Sequence, residues 1–162
     1  LVDTAKSQAT PDDHSPFELA SFVRGVVDML RPLAGASALT LTFTSSEEAL
    51  VRGAEDRIYQ VLTNLIGNAF KFTPAGGTVQ VCVDCTGDTV RTSVRDSGDG
   101  IDASHLATIF DPFVQVSSAD TRGAGLGLSI ARTIIEAHGG SLDAESTLGE
   151  GSVFTFDLPR HR

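Results

Sequence analysis

The chain has 162 residues, enough for one well-buried domain and too few for two. Its 41% hydrophobic and 20% charged residues are ordinary for a globular protein, and no apolar run approaches the roughly 20 residues that a membrane span needs. The formal net charge of -9, with Lys6 and Lys71 the only lysines, excludes nucleic acid as a partner by bulk electrostatics and obliges any phosphate site to use local donors. No positively charged and then apolar leader opens the chain, so the expected setting is cytoplasmic, with no membrane contact by this domain.

Residues 1–15 are polar, end in Thr10-Pro11-Asp12-Asp13-His14 and read as a linker. Ser15-Pro16-Phe17-Glu18 predicts a helix start, with a serine cap, a proline in the first turn and a glutamate three residues after the cap. Phe17, Leu19, Ala20, Phe22, Val23, Val26, Val27 and Leu30 follow at helical spacing, and Pro32 and Gly35 loosen or end that helix. Leu39–Thr44 alternates like a strand. A second helix is predicted from about Glu55 to Phe72, with Ile58, Val61, Leu62, Leu65, Ile66 and Ala69 on its apolar face. Thr78–Cys85 and Thr89–Asp96 alternate and are joined by the turn Thr86-Gly87-Asp88, a hairpin. A short helix near Ser104–Phe110, a loop over Asp111–Arg122 and a helix from about Leu126 to His138 come next. Strands at Ser141–Glu145 and Ser152–Leu158 close the chain. Helices alternating with mostly paired strands predict a two-layer α/β sandwich, sheet on one side and helices on the other.

Cys82 and Cys85 form a C-x-x-C, but positions three apart on a strand face opposite ways and no second pair or nearby histidine completes a metal site. They read as two half-buried thiols. Asn64 and Asn68, four residues apart, project from one face of the second helix, with Lys71 and Phe72 on its next turn. Two asparagines on a solvated helix face are one reading. The other is a magnesium–phosphate site, where an amide oxygen takes a hard cation and an ammonium takes a phosphate oxygen. Asp96-Ser97-Gly98-Asp99-Gly100 ends a strand; it reads as a simple turn or as a carboxylate that recognises a ligand amino group with the backbone held close. Gly123-Ala124-Gly125-Leu126-Gly127-Leu128 runs into a helix, where backbone N–H groups can face an anion. Its spacing is neither that of a dinucleotide fingerprint nor that of a P-loop.

The order of these motifs resembles the GHKL ATPase superfamily and, within it, the sensor histidine kinases. DRIYQVLTNLIGNAFKFTPAGG is similar to the asparagine box and SVRDSGDGI to the first glycine box. IFDPFVQV is similar to the phenylalanine box, GAGLGLSIARTIIEAHGGSL to the second glycine box and LGEGSVFTFDLP to the closing strand. The resemblance implies a Bergerat fold: a mixed, mainly antiparallel sheet packed on helices, over residues 16–160. By that resemblance Asn68 is the Mg²⁺ ligand, Asn64 helps hold the metal site and Lys71 contacts phosphates. Asp96 accepts from the adenine amino group, with Gly98 and Gly100 admitting the base. Gly123, Gly125 and Gly127 present N–H groups to the phosphates. Phe72, Ile101, Leu126 and Leu128 line the nucleotide pocket, and Phe110 and Phe113 anchor a lid. Arg122 is either a phosphate contact or a solvated loop arginine. Two departures from the family pattern are Ser97, where threonine is usual, and a short run from Thr121 and Arg122 into Gly123.

Asn64 separates the relatives. Hydrolysing members of the superfamily carry a glutamate base at the matching position, and an amide cannot take a proton from water at neutral pH. The implied activity is ATP- and Mg²⁺-dependent transfer of the γ-phosphoryl group to a histidine on a separate dimerisation and phosphoacceptor domain, and onward to a response-regulator receiver aspartate. Residues 1–15 resemble the end of that acceptor domain's helix and its linker, and none of His14, His105, His138 and His161 sits in an acceptor box. The piece is expected to be monomeric and its parent a homodimer. A degenerate nucleotide-binding or docking module and an anti-sigma-type serine kinase are the alternatives.

Overall fold

In the computed structural model, residues 15–46, 48–111 and 126–161 are described. The reading of residues 1–14 as a helix remnant and linker falls outside them. The described elements are β1 (Pro16–Glu18), α1 (Leu19–Ala36), β2 (Thr40–Ser45), β3 (Leu50–Arg52), α2 (Glu55–Phe72), β4 (Thr78–Thr86), β5 (Thr89–Asp96), α3 (Ala103–Leu106), α4 (Leu126–Ala137), β6 (Ser141–Thr147) and β7 (Gly151–Pro159). Five strands form one sheet in the order β2-β4-β5-β7-β6; β2 and β4 run parallel and every other pair antiparallel. β1 and β3 make a separate antiparallel ribbon.

The sheet's period-2 pattern sends Val79, Val81 and Val83 of β4, Val90, Thr92, Val94 and Asp96 of β5, and Phe154, Phe156 and Leu158 of β7 to the buried face. Helical stripes meet them: Val23, Val26 and Val27 from α1, Ile58, Val61, Leu62, Leu65, Ile66 and Ala69 from α2, and Ala131, Ile134 and Ile135 from α4. Each such aliphatic side chain contributes roughly 1.5–3 kcal/mol through burial. The opposite face is polar. On it Arg91 grips Asp157 with two bonds of 2.8 and 3.0 Å in register across β5 and β7. The two cysteines are half-buried, with Cys82 Sγ 3.0 Å from Thr44 Oγ1 and Cys85 Sγ 3.4 Å from the Glu48 carbonyl. Among the described residues no cluster of three metal-binding side chains exists, and no helix is long and apolar enough to cross a membrane.

The start of the chain corrects the sequence reading. Ser15 does not cap a helix containing Pro16 and Phe17; Pro16–Glu18 is a strand, and Glu18 is the cap of α1. Its carboxylate accepts from the Ala20 N–H at 2.8 Å, the Ser21 N–H at 3.0 Å and the Ser21 hydroxyl at 2.7 Å. It also accepts from the Ala49 N–H at 2.9 Å, while the Leu19 N–H donates to the Ala49 carbonyl. One glutamate thus starts a helix and fastens the β1–β3 ribbon to it. Pro32 neither ends nor interrupts α1, because it lies on the exposed side, where the carbonyl it leaves without an N–H partner can meet water. Ala38, at φ 58°, takes the left-handed position past the helix end where glycine is usual.

Burial works to raise the Glu18 pKa, but the Ser21 hydroxyl and the N–H groups of Ala49, Ala20 and Ser21 outweigh it and hold the carboxyl below its ordinary value of 4.5. A depressed carboxyl contributes stability above its unfolded pKa and loses it as pH falls through the folded one. Glu18→Ala should therefore lower unfolding free energy at neutral pH by about 2 kcal/mol, at the upper end for a lost cap. Urea titrations at a series of pH values should show the gap between the two proteins closing below pH 4.5. A gap that persists undiminished in acid would assign the effect to packing and not to the carboxylate.

Candidate nucleotide-binding site

Three of the sequence motifs meet on α2. The helix has Glu55 and Asp56 in its first turn and Lys71 in its last, charges that suit the two ends of its dipole. Its apolar stripe faces the sheet, so Asn64 and Asn68 stand beside the stripe, both half-buried. Asn64 Nδ2 donates to the Gly127 carbonyl at 3.1 Å. Since a carbonyl can only accept, this contact fixes which end of the amide is which. A Cβ on Gly127 would lie 3.4 Å from the Asn64 amide carbon, an ordinary van der Waals contact, so the hydrogen bond and not a steric demand for glycine marks this approach of α4. Lys71 is exposed, with Nζ 5.7 Å from the centre of the half-buried Phe72 ring.

The second approach is at the end of β5. Asp96 completes the inward row of Val90, Thr92 and Val94, so the strand's own alternation turns a carboxylate toward the helices. It is 7% exposed and accepts from the Gly98 N–H at 2.9 Å. Burial pushes its pKa up, and the backbone N–H groups of Gly98 and Ser152 only partly offset this. A Cβ at Gly98 would run into the Phe72 carbonyl, so only glycine allows the β5 end to reach the end of α2. Gly100, at φ 80°, would likewise carry a Cβ into the Thr147 carbonyl. Ile101 is buried and its N–H donates to Ser146 Oγ at 2.7 Å, and that hydroxyl in turn lies against the Gly151 carbonyl and Ser152. Ser97 Oγ accepts from the Thr78 N–H at 2.9 Å, which ties the end of β5 to the start of β4.

Of the other expected residues, Leu128 is buried in the core. Phe110 packs edge-on against Phe154 at 6.2 Å, with the Arg132 guanidinium 4.5 Å above its ring. Phe113, Arg122, Gly123, Gly125 and the side chain of Leu126 lie outside the described residues. Ser146 and Ser152 support the Asp96 loop and were not singled out by sequence reasoning. Isolated serines in strands carry no signal until the strands are paired.

Asn64, Asn68 and Lys71 thus lie along α2, which meets the start of α4 at Asn64 and the turn after Asp96 at Phe72. The donor set fits Mg²⁺ in one specific way. With no acidic cluster among the described residues, the metal would be held by carboxamide oxygen, a hard donor, together with the phosphates and waters that Mg²⁺ keeps, and without the carboxylates that are its commoner protein ligands.

Residues 53–162 match the family described as histidine kinase-, DNA gyrase B-, and HSP90-like ATPase. The sensor protein SrrB of Staphylococcus aureus is 41% identical over 125 residues, 75% of this chain and 21% of that protein. The chain thus spans about a fifth of the length of the curated relatives it matches. The catalytic domain of histidine kinase ThkA superposes with a TM-score of 0.81 at 33% identity, covering 91% of this chain and 96% of that one. ThkA in complex with response regulator protein TrrA superposes at 0.77 with 31% identity, over 91% of this chain and 42% of that chain. Full-length ShkA in complex with AMPPNP superposes at 0.81 with 34% identity, over 91% and 31%. The chain belongs to the histidine kinase-, DNA gyrase B-, and HSP90-like ATPase family, and within it to the catalytic domains of sensor histidine kinases.

Proposed function

We propose that this domain binds Mg-ATP between α2, the end of β5 and the start of α4, and donates the γ-phosphoryl group to a histidine on a separate dimerisation and phosphoacceptor domain. The observation that carries this reading is Asn64. An amide locked to the Gly127 carbonyl stands where a hydrolysing enzyme needs a base. Phosphoryl transfer to a good nucleophile needs positioning and charge neutralisation instead. In this reading Asp96 accepts from the adenine amino group and Gly98 and Gly100 hold the backbone clear of the base. Phe72, Ile101, Leu126 and Leu128 bound the pocket, Lys71 and Arg122 contact phosphate, and Gly123, Gly125 and Gly127 turn N–H groups toward it. Phe110 and Phe113 anchor the segment that covers the nucleotide. Asn68, with Asn64 beside it, would hold Mg²⁺, which would supply neutralisation of the phosphate charge. The likeness to ShkA, solved with AMPPNP, supports ATP as the ligand, and the likeness to ThkA, solved with TrrA, supports a receiver domain as the onward partner. The domain acts in the cytoplasm, as a monomeric unit of a homodimeric parent, with residues 16–160 as the catalytic unit and residues 1–15 as the join to the acceptor helix.

The adenine contact is tested by Asp96→Asn, which replaces a pure acceptor and removes a charge-assisted bond worth about 1.5–3 kcal/mol. Calorimetric titration should show ATP and ADP weakened by that amount. Wild-type affinity should fall on acidification at a higher pH than an ordinary carboxylate would give, because burial raises Asp96 and protonation removes the acceptor. Equal affinity in wild type and variant would mean that the adenine sits elsewhere.

Asn68→Ala removes a metal oxygen, so adenosine binding should stay within about twofold while phosphotransfer falls on the order of 100-fold. Full activity of the alanine variant in the intact kinase would reduce Asn68 to a surface residue.

Transfer also needs the acceptor in line with the γ-phosphate, geometry that can supply roughly 7–11 kcal/mol of the barrier. The His138 ring is engaged on both nitrogens, and His105, held at Nδ1 by Asp102 at 2.9 Å, sits on the short α3 of this domain and not on an acceptor helix that would bring its Nε2 in line. The chain alone should bind ATP, hydrolyse it slowly and not label itself. With the acceptor domain of its parent added, γ-labelled ATP should give acid-labile, alkali-stable label in trans, weakly because effective concentration is lost. Acid-stable label on serine would instead mark a serine kinase, and rapid phosphate release without acceptor would mark a hydrolase.

A further inference from the structure

His138 follows α4, is half-buried and uses both ring nitrogens. Nδ1 lies 2.8 Å from the Ile134 carbonyl, one turn back on its own helix, and Nε2 accepts from the Ala54 N–H at 3.1 Å. A carbonyl can only accept and an N–H can only donate, so the pair of contacts demands one tautomer, protonated on Nδ1 and bare on Nε2. Ala54 is the residue from which α2 starts, and its side chain makes no capping bond. One N–H at that helix start, that of Ala54, is instead served from the residue that follows α4. Gly53 is shaped for this: a Cβ there would stand 2.5 Å from Cδ2 and 2.8 Å from Nε2 of the ring.

α2 and α4 pack against each other. They are joined at two points, His138 to Ala54 and Gly127 to Asn64. The pairing of each helix's start with the other's later part makes them antiparallel. At 1.5 Å per residue the two joints lie about 15 Å apart along α2 and about 17 Å apart along α4. Two such joints fix how far one helix can slide past the other, and a slip of a single residue breaks both. The joint at Asn64 lies in the proposed phosphate site; the joint at His138 lies far from it.

We propose that His138 is a positioning residue: its Nε2–Ala54 bond sets the register of α4 against α2 and so places Gly127, at the start of α4, against Asn64. The proposal rests on the nucleotide reading above for its consequence but not for its geometry. Phosphates bridging the two helices depend on that register. Adenosine, held at the end of β5 by Asp96, does not.

The tautomer is tested first, by nitrogen-15 NMR of the ring at about pH 8, above the ordinary histidine range. The expected signature is a proton on Nδ1 and none on Nε2; a ring protonated on Nε2 overturns the proposal whatever binds. Calorimetry then compares ATP with adenosine. His138→Ala should weaken ATP about five- to tenfold, the scale of one lost hydrogen bond, and adenosine less than about twofold. Gly53→Ala, which pushes the ring away, should reproduce that split if His138→Ala folds poorly. His138→Gln, whose side-chain oxygen can accept from the Ala54 N–H, should restore most of the ATP affinity. Equal losses for ATP and adenosine, or none in a folded variant, overturn the positioning role. Failure of the wild-type chain to bind ATP would defeat the nucleotide reading, and the tautomer would still decide whether His138 makes the joint.

Discussion

The buried carboxylate of Asp96 constrains everything around it. An ionised oxygen beside the core is costly unless it is satisfied. Strand β5 leads to this position by simple alternation: Val90, Thr92 and Val94 are buried, and the next inward residue is the acid. The turn beyond it folds back so that the Gly98 N–H reaches the carboxylate, which forces the backbone against the Phe72 carbonyl and so requires glycine. The same need brings the end of α2 to the end of β5. A residue that weakens the core by its polarity thereby determines where a polar ligand can meet both helix and strand.

Helix α2 is the common wall. Its apolar stripe is committed to the sheet, and its polar edge receives α4 through Asn64 and the β5 turn through Phe72. The elements with the least internal stability gain most from this arrangement. The β1–β3 ribbon has three residues in each strand and could not persist alone, yet Glu18 binds it to α1 and the His161 N–H donates to the Leu50 carbonyl at its other side. The ribbon leads into Gly53 and Ala54, so the start of α2 is held from both the front and the back of the chain.

Much of this was legible in the residues. Both ends of α2 and of β5 fall where periodicity and the flanking Thr-Pro-Ala-Gly-Gly and Gly-Asp signals put them, because their cores are long and strictly periodic. The polar members of the site were legible as interruptions: Asn64 and Asn68 beside a leucine stripe, Asp96 at the end of a valine row. The start of the chain was misread because Ser15, Pro16 and Glu18 satisfy the local rules for a capped helix, while the winning contact, Ala49 to Glu18, spans 31 residues. β3 escaped because three residues show no period. The role of His138, where the predicted helix ended, escaped because its partner Ala54 is 84 residues away and offers only a backbone N–H.

Asn64 joins packing and chemistry in one side chain. Its Nδ2 donates to the Gly127 carbonyl. A glutamate in its place would set a carboxylate, which can only accept when ionised, against another acceptor. Two acceptors at hydrogen-bond distance repel, so an ionised acid at position 64 would drive the start of α4 away from α2 unless a proton or water came between. The hydrogen bond to the Gly127 carbonyl is thus compatible with an amide and not with an ionised base that activates water. The seating of α4 and the amide at position 64 thus belong together, joined by the one hydrogen bond between them. Acquiring a hydrolytic base would take more than the one substitution, because the helix that bears on it would have to move as well.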